Sequence, residues 1–153
     1  MSEALFYQLE RRRLDGVLPG LVERTLERGW RAIIRVESAD RAAAIDALLW
    51  TYNEESFLPH AIACDGDAVR QPVLITVEEG NSNGAQVLFL AGGARHHDWS
   101  QSATSFARIV TLFDGRDPEA LTSAREAWKQ AKAAGLEVTY WKENAAGKWE
   151  KQG

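Results

Sequence analysis

Only one cysteine, Cys64, occurs in the 153 residues, which excludes a disulfide within the chain and is typical of a reducing compartment. Long apolar runs are also missing, and no stretch approaches the roughly 18–20 apolar residues that a membrane-spanning helix needs. Residues 1–7 contain no basic region followed by an apolar segment, so no secretion signal is predicted. These absences predict a cytoplasmic protein that does not enter a membrane.

Internal repeats, low-complexity tracts and linkers rich in proline or serine are absent as well. We therefore expect one domain over residues 1–153, with a peripheral tail after about residue 142. Hydrophobic residues make up 45% of the chain and charged residues 26%, which is ordinary for a globular domain with a real core. The net charge is −4, and because a negative field repels polyanions, direct high-affinity binding to nucleic acid is disfavoured.

Apolar periodicity predicts the element order β-α-β-α-β-β-β-β-α-β. The clearest helix start is Asp117-Pro118, a capping residue followed by proline at the first helical position, and Gly135 fits the end of that helix. Ser38 is placed to cap the second helix, and Gly29 to end the first. The expected strands are 5–9, 32–36, 60–63, 72–77, 86–90, 108–113 and 138–142, and the expected helices are 14–26, 39–50 and 118–135. This alternation predicts a three-layer α/β sandwich with a mostly parallel sheet, whereas strand order cannot be read from the pattern.

No catalytic or cofactor-binding motif is found. After the first strand, Leu9-Glu10-Arg11-Arg12-Arg13 offers no glycine for close approach of a phosphate, and the loop G-x-x-x-x-G-K-[ST] occurs nowhere. The adjacent His96, His97 and Asp98 are expected to form a solvated loop, because neighbouring side chains on an extended segment point to opposite sides. We expect no active site, no cofactor and no metal. A nucleotide-dependent enzyme without its standard motif is the alternative.

Large apolar side chains are concentrated at the end of the second helix and in the loop that follows. Trp50, Tyr52, Phe57 and Leu58 lie within twelve residues that end in Pro59-His60. Loops rarely bury so much aromatic surface, and exposed apolar patches mark protein interfaces. The segment is therefore a candidate docking surface, and the alternative is that its aromatic residues close the bottom of the core.

The helix after Pro118 carries a stripe of cations. Arg125, Lys129 and Lys132 occupy positions i, i+4 and i+7, and Trp128 lies beside them. Cations next to an aromatic ring suit an acidic peptide, especially one that ends in a free carboxylate. A merely solvated helix face is the alternative reading of the same stripe.

These segments resemble the chi subunit family of the bacterial DNA polymerase III holoenzyme over nearly the whole chain. The most specific element is the pattern L-W-x₆-F-[LV]-P-H, which begins at Leu49 and ends at His60. The other matching segments are Phe6-Tyr7, Pro72-Val73, Phe113, and Ala124-Arg125-Glu126-Ala127-Trp128-Lys129 with Gly135.

The resemblance implies a Rossmann-like fold without nucleotide chemistry and a non-catalytic accessory subunit of the replicase. Chi pairs with the psi subunit, which tethers it to the clamp loader, and another face binds the acidic C-terminal tail of the single-stranded DNA-binding protein. By this resemblance Trp50, Phe57 and Pro59 face psi or an equivalent partner. DNA would be contacted only indirectly. A protein that binds DNA directly through its basic helix is a further alternative, opposed by the net charge.

For the tail site, the resemblance assigns roles to residues of the last helix. Arg125 matches the residue that receives the terminal carboxylate of the tail, and Trp128 replaces a tyrosine that lines the pocket. Lys129 and Lys132 match basic residues nearby. Leu121 stands where better-known members have a lysine, and Asp114 where they have a valine, so the strength of the pocket is expected to differ.

Overall fold

A computed structural model describes residues 3–10, 14–51, 60–62, 72–77, 84–91, 99, 106–144 and 148–151, with the backbone alone at 14–16, 50–51 and 60–62. The strands within these ranges are β1 (Glu3–Leu9), β2 (Ala32–Arg35), β3 (His60–Ile62), β4 (Val73–Thr76), β5 (Val87–Leu90), β6 (Arg108–Asp114), β7 (Glu137–Glu143) and β8 (Trp149–Lys151). They form one sheet in the order β3-β4-β2-β5-β6-β1-β7-β8. Every pairing is parallel except that of β7 with β8, which confirms the mostly parallel sheet.

The helices begin and end at the predicted signals. They are α1 (Leu14–Glu27), α2 (Ala39–Thr51) and α3 (Pro118–Ala133). The Ser38 hydroxyl accepts the backbone N–H of Arg41 at 3.2 Å, as an N-cap does. After α1 and α3 the chain turns at Gly29 and Gly135, whose φ values of +78° and +86° are strained for any residue with a Cβ.

Apolar side chains divide between the two faces of the sheet. On β2, Ile34 packs with the buried residues of α1 and α2, and Ile33 packs on the opposite face with those of α3. Alternation is expected because successive strand residues point to opposite sides. Both residues are almost fully buried, as a sheet covered on both faces requires. The three layers predicted from the sequence are therefore confirmed, and the two surfaces are called the α1/α2 face and the α3 face below.

Strand β8 was missed by the sequence analysis, which predicted only a polar tail after residue 142. It runs antiparallel to β7 and forms one edge of the sheet. The ring of Trp149 meets Tyr7 edge-on, with centroids 5.0 Å apart, which is favourable geometry for an aromatic pair. A run of three residues is too short to show periodicity, and the contact with Tyr7 is distant in sequence.

Several residues singled out from the sequence lie outside the described ranges: Phe57, Pro59, Cys64 and residues 96–98. The side chain of Trp50 lies outside them too, although its backbone belongs to α2. In the part of the chain that is described, no helix is both long and apolar enough to cross a membrane.

Candidate functional site

Helix α3 is anchored at its start by two local features. Pro118 occupies the first helical turn, where its missing N–H costs nothing, and the Asp117 carboxylate accepts the backbone N–H of Glu119 at 3.0 Å. Small residues on one side of the helix, Ala124 and Ala131, are buried against the sheet. Because alanine allows close approach, the helix lies flat on the sheet and its other side faces outward.

The residues predicted to form the peptide site share this outward side. At 100° per residue, Leu121, Arg125, Trp128, Lys129 and Lys132 fall within an arc of about 100° and span about 16 Å along the helix. Arg125, Lys129 and Lys132 are exposed, whereas Leu121 and Trp128 are partly buried. The helix therefore presents exposed cations next to partly buried apolar side chains.

Trp128 and Lys132 form a direct pair. The ammonium Nζ of Lys132 lies 4.2 Å from the centroid of the Trp128 ring, within the range of a cation–π interaction. The indole also packs against the buried cluster of the α3 face, which fixes its position. The indole is thus partly covered by the core, and a cation lies over its ring.

Tyr140 on β7 belongs to the same region, and the sequence analysis missed it. Its ring packs on the α3 face, with centroids 6.0 Å from Phe113 and 6.4 Å from Phe6. Burial raises the pKa of the Tyr140 phenol, and the positive charge of Arg125 partly offsets that rise. Arg125 is therefore close enough to Tyr140 to act on it electrostatically. The only available signal was the position of the tyrosine on the strand after α3.

Beneath Tyr140, a chain of hydrogen bonds follows the carboxyl ends of β1 and β7. The Tyr140 hydroxyl donates to Oε1 of Gln8, and the Gln8 amide donates to Oε1 of Glu10. The backbone N–H of Glu10 donates in turn to Oε1 of the buried Glu143, at 3.2 Å. This chain holds the Tyr140 ring in place under the helix.

Asp114, which stands where the resemblance expects a valine, pairs with a neighbouring cation. Its carboxylate accepts the backbone N–H of Arg116 at 2.9 Å and the Arg116 Nε–H at 3.0 Å. Hydrogen bonding to Asp114 is also the main reason that the pKa of Arg116 is raised. The negative charge of Asp114 is therefore largely neutralised before it can repel an acidic ligand of α3.

The crevice where nucleotides bind in related folds carries carboxylates in its described part. Helices α1 and α3 follow the adjacent strands β1 and β6 on opposite faces of the sheet, which defines such a crevice. Its described floor carries Glu10 and Glu143, whereas residues 11–13, which follow β1 at this edge, lie outside the described ranges. Among the described residues, no three His, Cys, Asp or Glu side chains are grouped as metal ligands.

For the second predicted surface, the structure describes only the helix that carries Trp50. Trp50 lies in the last turn of α2, which contacts β3 and β4 at the far edge of the sheet from β8. Helix α3 packs on the opposite face against β6, β7 and β1. Helices α2 and α3 therefore lie on opposite faces of the sheet, and the sheet separates the backbone of Trp50 from Arg125.

The strand order and three layers define an α/β sandwich with a mostly parallel sheet. Within that class, the family model of the DNA polymerase III chi subunit, HolC, matches residues 1–139. The chain belongs to the DNA polymerase III chi subunit family, which confirms the resemblance seen in the sequence and places the protein in DNA replication.

Two relatives carry the same name. The chain is 29% identical to the DNA polymerase III subunit chi of Escherichia coli (strain K12) over 154 residues, which cover 93% of the chain and 100% of that protein. It is 27% identical to the probable DNA polymerase III subunit chi of Rickettsia prowazekii (strain Madrid E) over 97 residues. That second alignment covers 61% of the chain and spans 59% of the length of the Rickettsia protein.

Proposed function

We propose that the protein is a non-catalytic accessory subunit of the replicative polymerase that joins two partners. One partner is the acidic C-terminal tail of the single-stranded DNA-binding protein, bound by α3. The other is psi or an equivalent clamp-loader subunit, bound by Trp50, Phe57 and Pro59. The whole chain would act as one cytoplasmic domain and would contact DNA indirectly through the tail-bearing protein.

The observation that carries the proposal is the composition of the outward side of α3. Exposed cations there adjoin a half-buried indole that already holds an ammonium group at 4.2 Å. Neither charge nor apolar surface alone would select a peptide terminus. Together they offer a charge-assisted bond for a carboxylate and an apolar ledge for the last side chain.

Each residue has a distinct role in the proposed complex. Arg125 forms the charge-assisted hydrogen bonds to the terminal carboxylate, because its guanidinium presents two parallel N–H donors. Leu121 and Trp128 contact the last side chain of the tail. Lys129 and Lys132 attract the preceding acids and mainly increase the association rate, since exposed charges are screened by salt.

Calorimetric titration with an acidic peptide of about ten residues tests the proposal. Removing the Arg125 guanidinium by Arg125→Ala should weaken binding by about 1–3 kcal/mol, the range for a hydrogen bond to a charged group. The same peptide with an amidated C-terminus isolates the carboxylate, because amidation removes its charge. The wild type should prefer the free carboxylate, and Arg125→Ala should lose that preference.

Arg41→Ala is the matched control, because it removes one exposed arginine from α2 on the opposite face. Its pair with Glu37, at 3.8 Å, is exposed and contributes little to stability. Affinity should be unchanged in this variant. Equal binding of the free and amidated peptides by the wild type would refute the assignment of Arg125 to the carboxylate.

A further inference from the structure

The α1/α2 face carries a second aromatic and cationic surface that the tail proposal does not use. It begins at Trp30, just after α1, and continues across β6, β1 and β7 to β8. We call it the arginine–aromatic strip, and its members are Arg24, Arg28, Trp30, Arg108, Tyr7, Trp141 and Trp149.

At one end of the strip, Trp30 lies between two guanidinium groups. The Cζ atoms of Arg28 and Arg108 lie 5.5 and 5.6 Å from the centroid of its ring. Arg28 is exposed and Trp30 is partly exposed, so both are within reach of a ligand. Arg108 also pairs with Glu3 at 2.5 Å, which fixes its guanidinium next to the ring.

The centre and far end of the strip are built on β1, β7 and β8. Burial raises the pKa of the Tyr7 phenol, and the positive charges of Arg108 and Arg24 act in the opposite direction. Trp149 meets Tyr7 edge-on at 5.0 Å, and Trp141 is the register partner of Tyr7 on β7. Register partners on adjacent strands point to the same face, so these rings are neighbours.

The strip has the chemistry of a single-stranded nucleic acid site. Such sites combine cations that follow the phosphates with aromatic rings on which bases stack, and they need no sequence-specific contacts. From β6 to β8 the strip crosses three strand spacings, about 14 Å. Its three arginines outnumber the two acids at its edge, Glu3 and the register partner of Glu3 on β7, Glu137, so the local field is more favourable to a phosphate chain than the whole-protein charge of −4.

We propose that the arginine–aromatic strip binds single-stranded nucleic acid directly, independently of α3. The two surfaces lie on opposite faces of the sheet, so this inference does not depend on the tail proposal. It goes beyond the expectation from the resemblance that DNA is contacted only indirectly. The total charge, which also disfavoured direct binding, does not describe one face.

Fluorescence anisotropy of a labelled oligothymidylate of about 20 nucleotides, at about 50 mM salt, tests the proposal on the full chain. Since about three arginines would contact phosphates, the logarithm of the affinity should fall with the logarithm of salt with a slope of about −2. The exposed pair Arg24→Glu and Arg28→Glu should weaken binding at least about tenfold. Trp149→Leu, which keeps an apolar side chain but removes the aromatic face, should weaken it at least about fivefold.

Arg41→Glu with Lys142→Glu is the matched control, because it lowers the net charge of −4 by the same four units at exposed sites outside the strip. Loss of binding in the strip variants alone supports the proposal. Equal loss in the control pair, loss in Arg125→Ala, or no anisotropy change with the wild type up to about 100 μM would each overturn it. Tighter binding of polyglutamate than of the oligonucleotide would also overturn it, in favour of an acidic protein partner.

Discussion

Gly115 lies where a single added methyl group would collide with the core of the candidate site. A Cβ built on Gly115 would come within 2.5 Å of Cγ and 2.7 Å of Nε2 of Gln8, and within 2.6 Å of Oε1 of Glu10. Its φ angle is not in the left-handed region, so the backbone would accept another residue. The glycine is therefore required by packing alone, and Gly115→Ala measures how rigidly Gln8 is held.

The expected loss of stability depends on how freely the Gln8 side chain can move. Carbon atoms normally pack at about 3.5–4.0 Å, so the side chain must move by about 1 Å or more. Gln8 is buried and engaged at both ends of its amide, by Tyr140 and Glu10, so movement breaks contacts. Overpacking of this kind costs about 1–3 kcal/mol. Replacing glycine by alanine offsets about 0.4–1 kcal/mol of this cost through the unfolded chain, so the middle of the two ranges gives a net destabilisation of about 1.3 kcal/mol.

Gly20→Ala is the matched control because a Cβ there would meet nothing within 4 Å and the residue lies inside α1. It should stabilise the protein by about 0.5–1 kcal/mol, since glycine is a poor helix former. Urea denaturation should therefore separate the two variants by about 2 kcal/mol in the free energy of unfolding. In thermal denaturation the same gap corresponds to about 4–8 °C for a chain of this size.

A double-mutant cycle decides whether the collision with Gln8 is the cause. In a Gln8→Ala background both Gln8 contacts are gone, and the Glu10 carboxylate, which no longer accepts the Gln8 amide, can turn away, so adding Gly115→Ala should cost little or be neutral. A Gly115→Ala variant as stable as the wild type would refute the reasoning. Equal destabilisation with and without the Gln8 side chain would assign the effect to something other than this contact.

Two further predictions concern the tyrosines and the partner surface. Because burial raises the pKa of Tyr7 and Tyr140 above 10.0, the folded protein keeps these protons where the unfolded chain loses them, and stability should fall as pH rises above about 10. Urea midpoints between about pH 8 and pH 11 should fall less in a Tyr7→Phe and Tyr140→Phe double variant, and an equally steep fall would contradict the linkage. At the second surface, Trp50→Ala should lose co-purification with the psi-type partner but keep binding to the acidic peptide, whereas Arg125→Ala should do the reverse. Loss of both partners in one variant would show that the two surfaces are not separate.

Much of the fold could be predicted because its signals are local. Asp117-Pro118 and Gly135 bound α3 correctly, since capping and a left-handed glycine depend on a few neighbouring residues. Strand β8 could not be predicted in the same way, because its pairing depends on β7 and its packing on Tyr7, far away in sequence. Strand order is also a long-range property, and no window of the sequence contains it.

The same distinction between local and long-range signals applies to the candidate site. Helical spacing was sufficient to place Arg125, Lys129 and Lys132 on one side of α3 with Trp128, because i, i+4 and i+7 positions share a side in any α-helix. Tyr140 was missed because its proximity to Arg125 arises only when β7 pairs with β1 beneath the helix. The sequence thus identifies site residues that share one helix or strand, but it does not identify residues that a different helix or strand brings to the site.

The two proposed surfaces explain how an acidic protein can attract anions. The sum of −4 includes carboxylates that are not exposed beside the cations of either surface, such as the buried Glu143. Cations are grouped on α3 and on the arginine–aromatic strip, which lie on opposite faces of the sheet. Salt screens exposed charges beyond about 8 Å at physiological ionic strength, so an approaching ligand interacts with the charges of one face at a time. If both proposals hold, a tail on one face and a nucleic acid strand on the other would bind without competing, and occupancy of either face would leave the affinity of the other nearly unchanged.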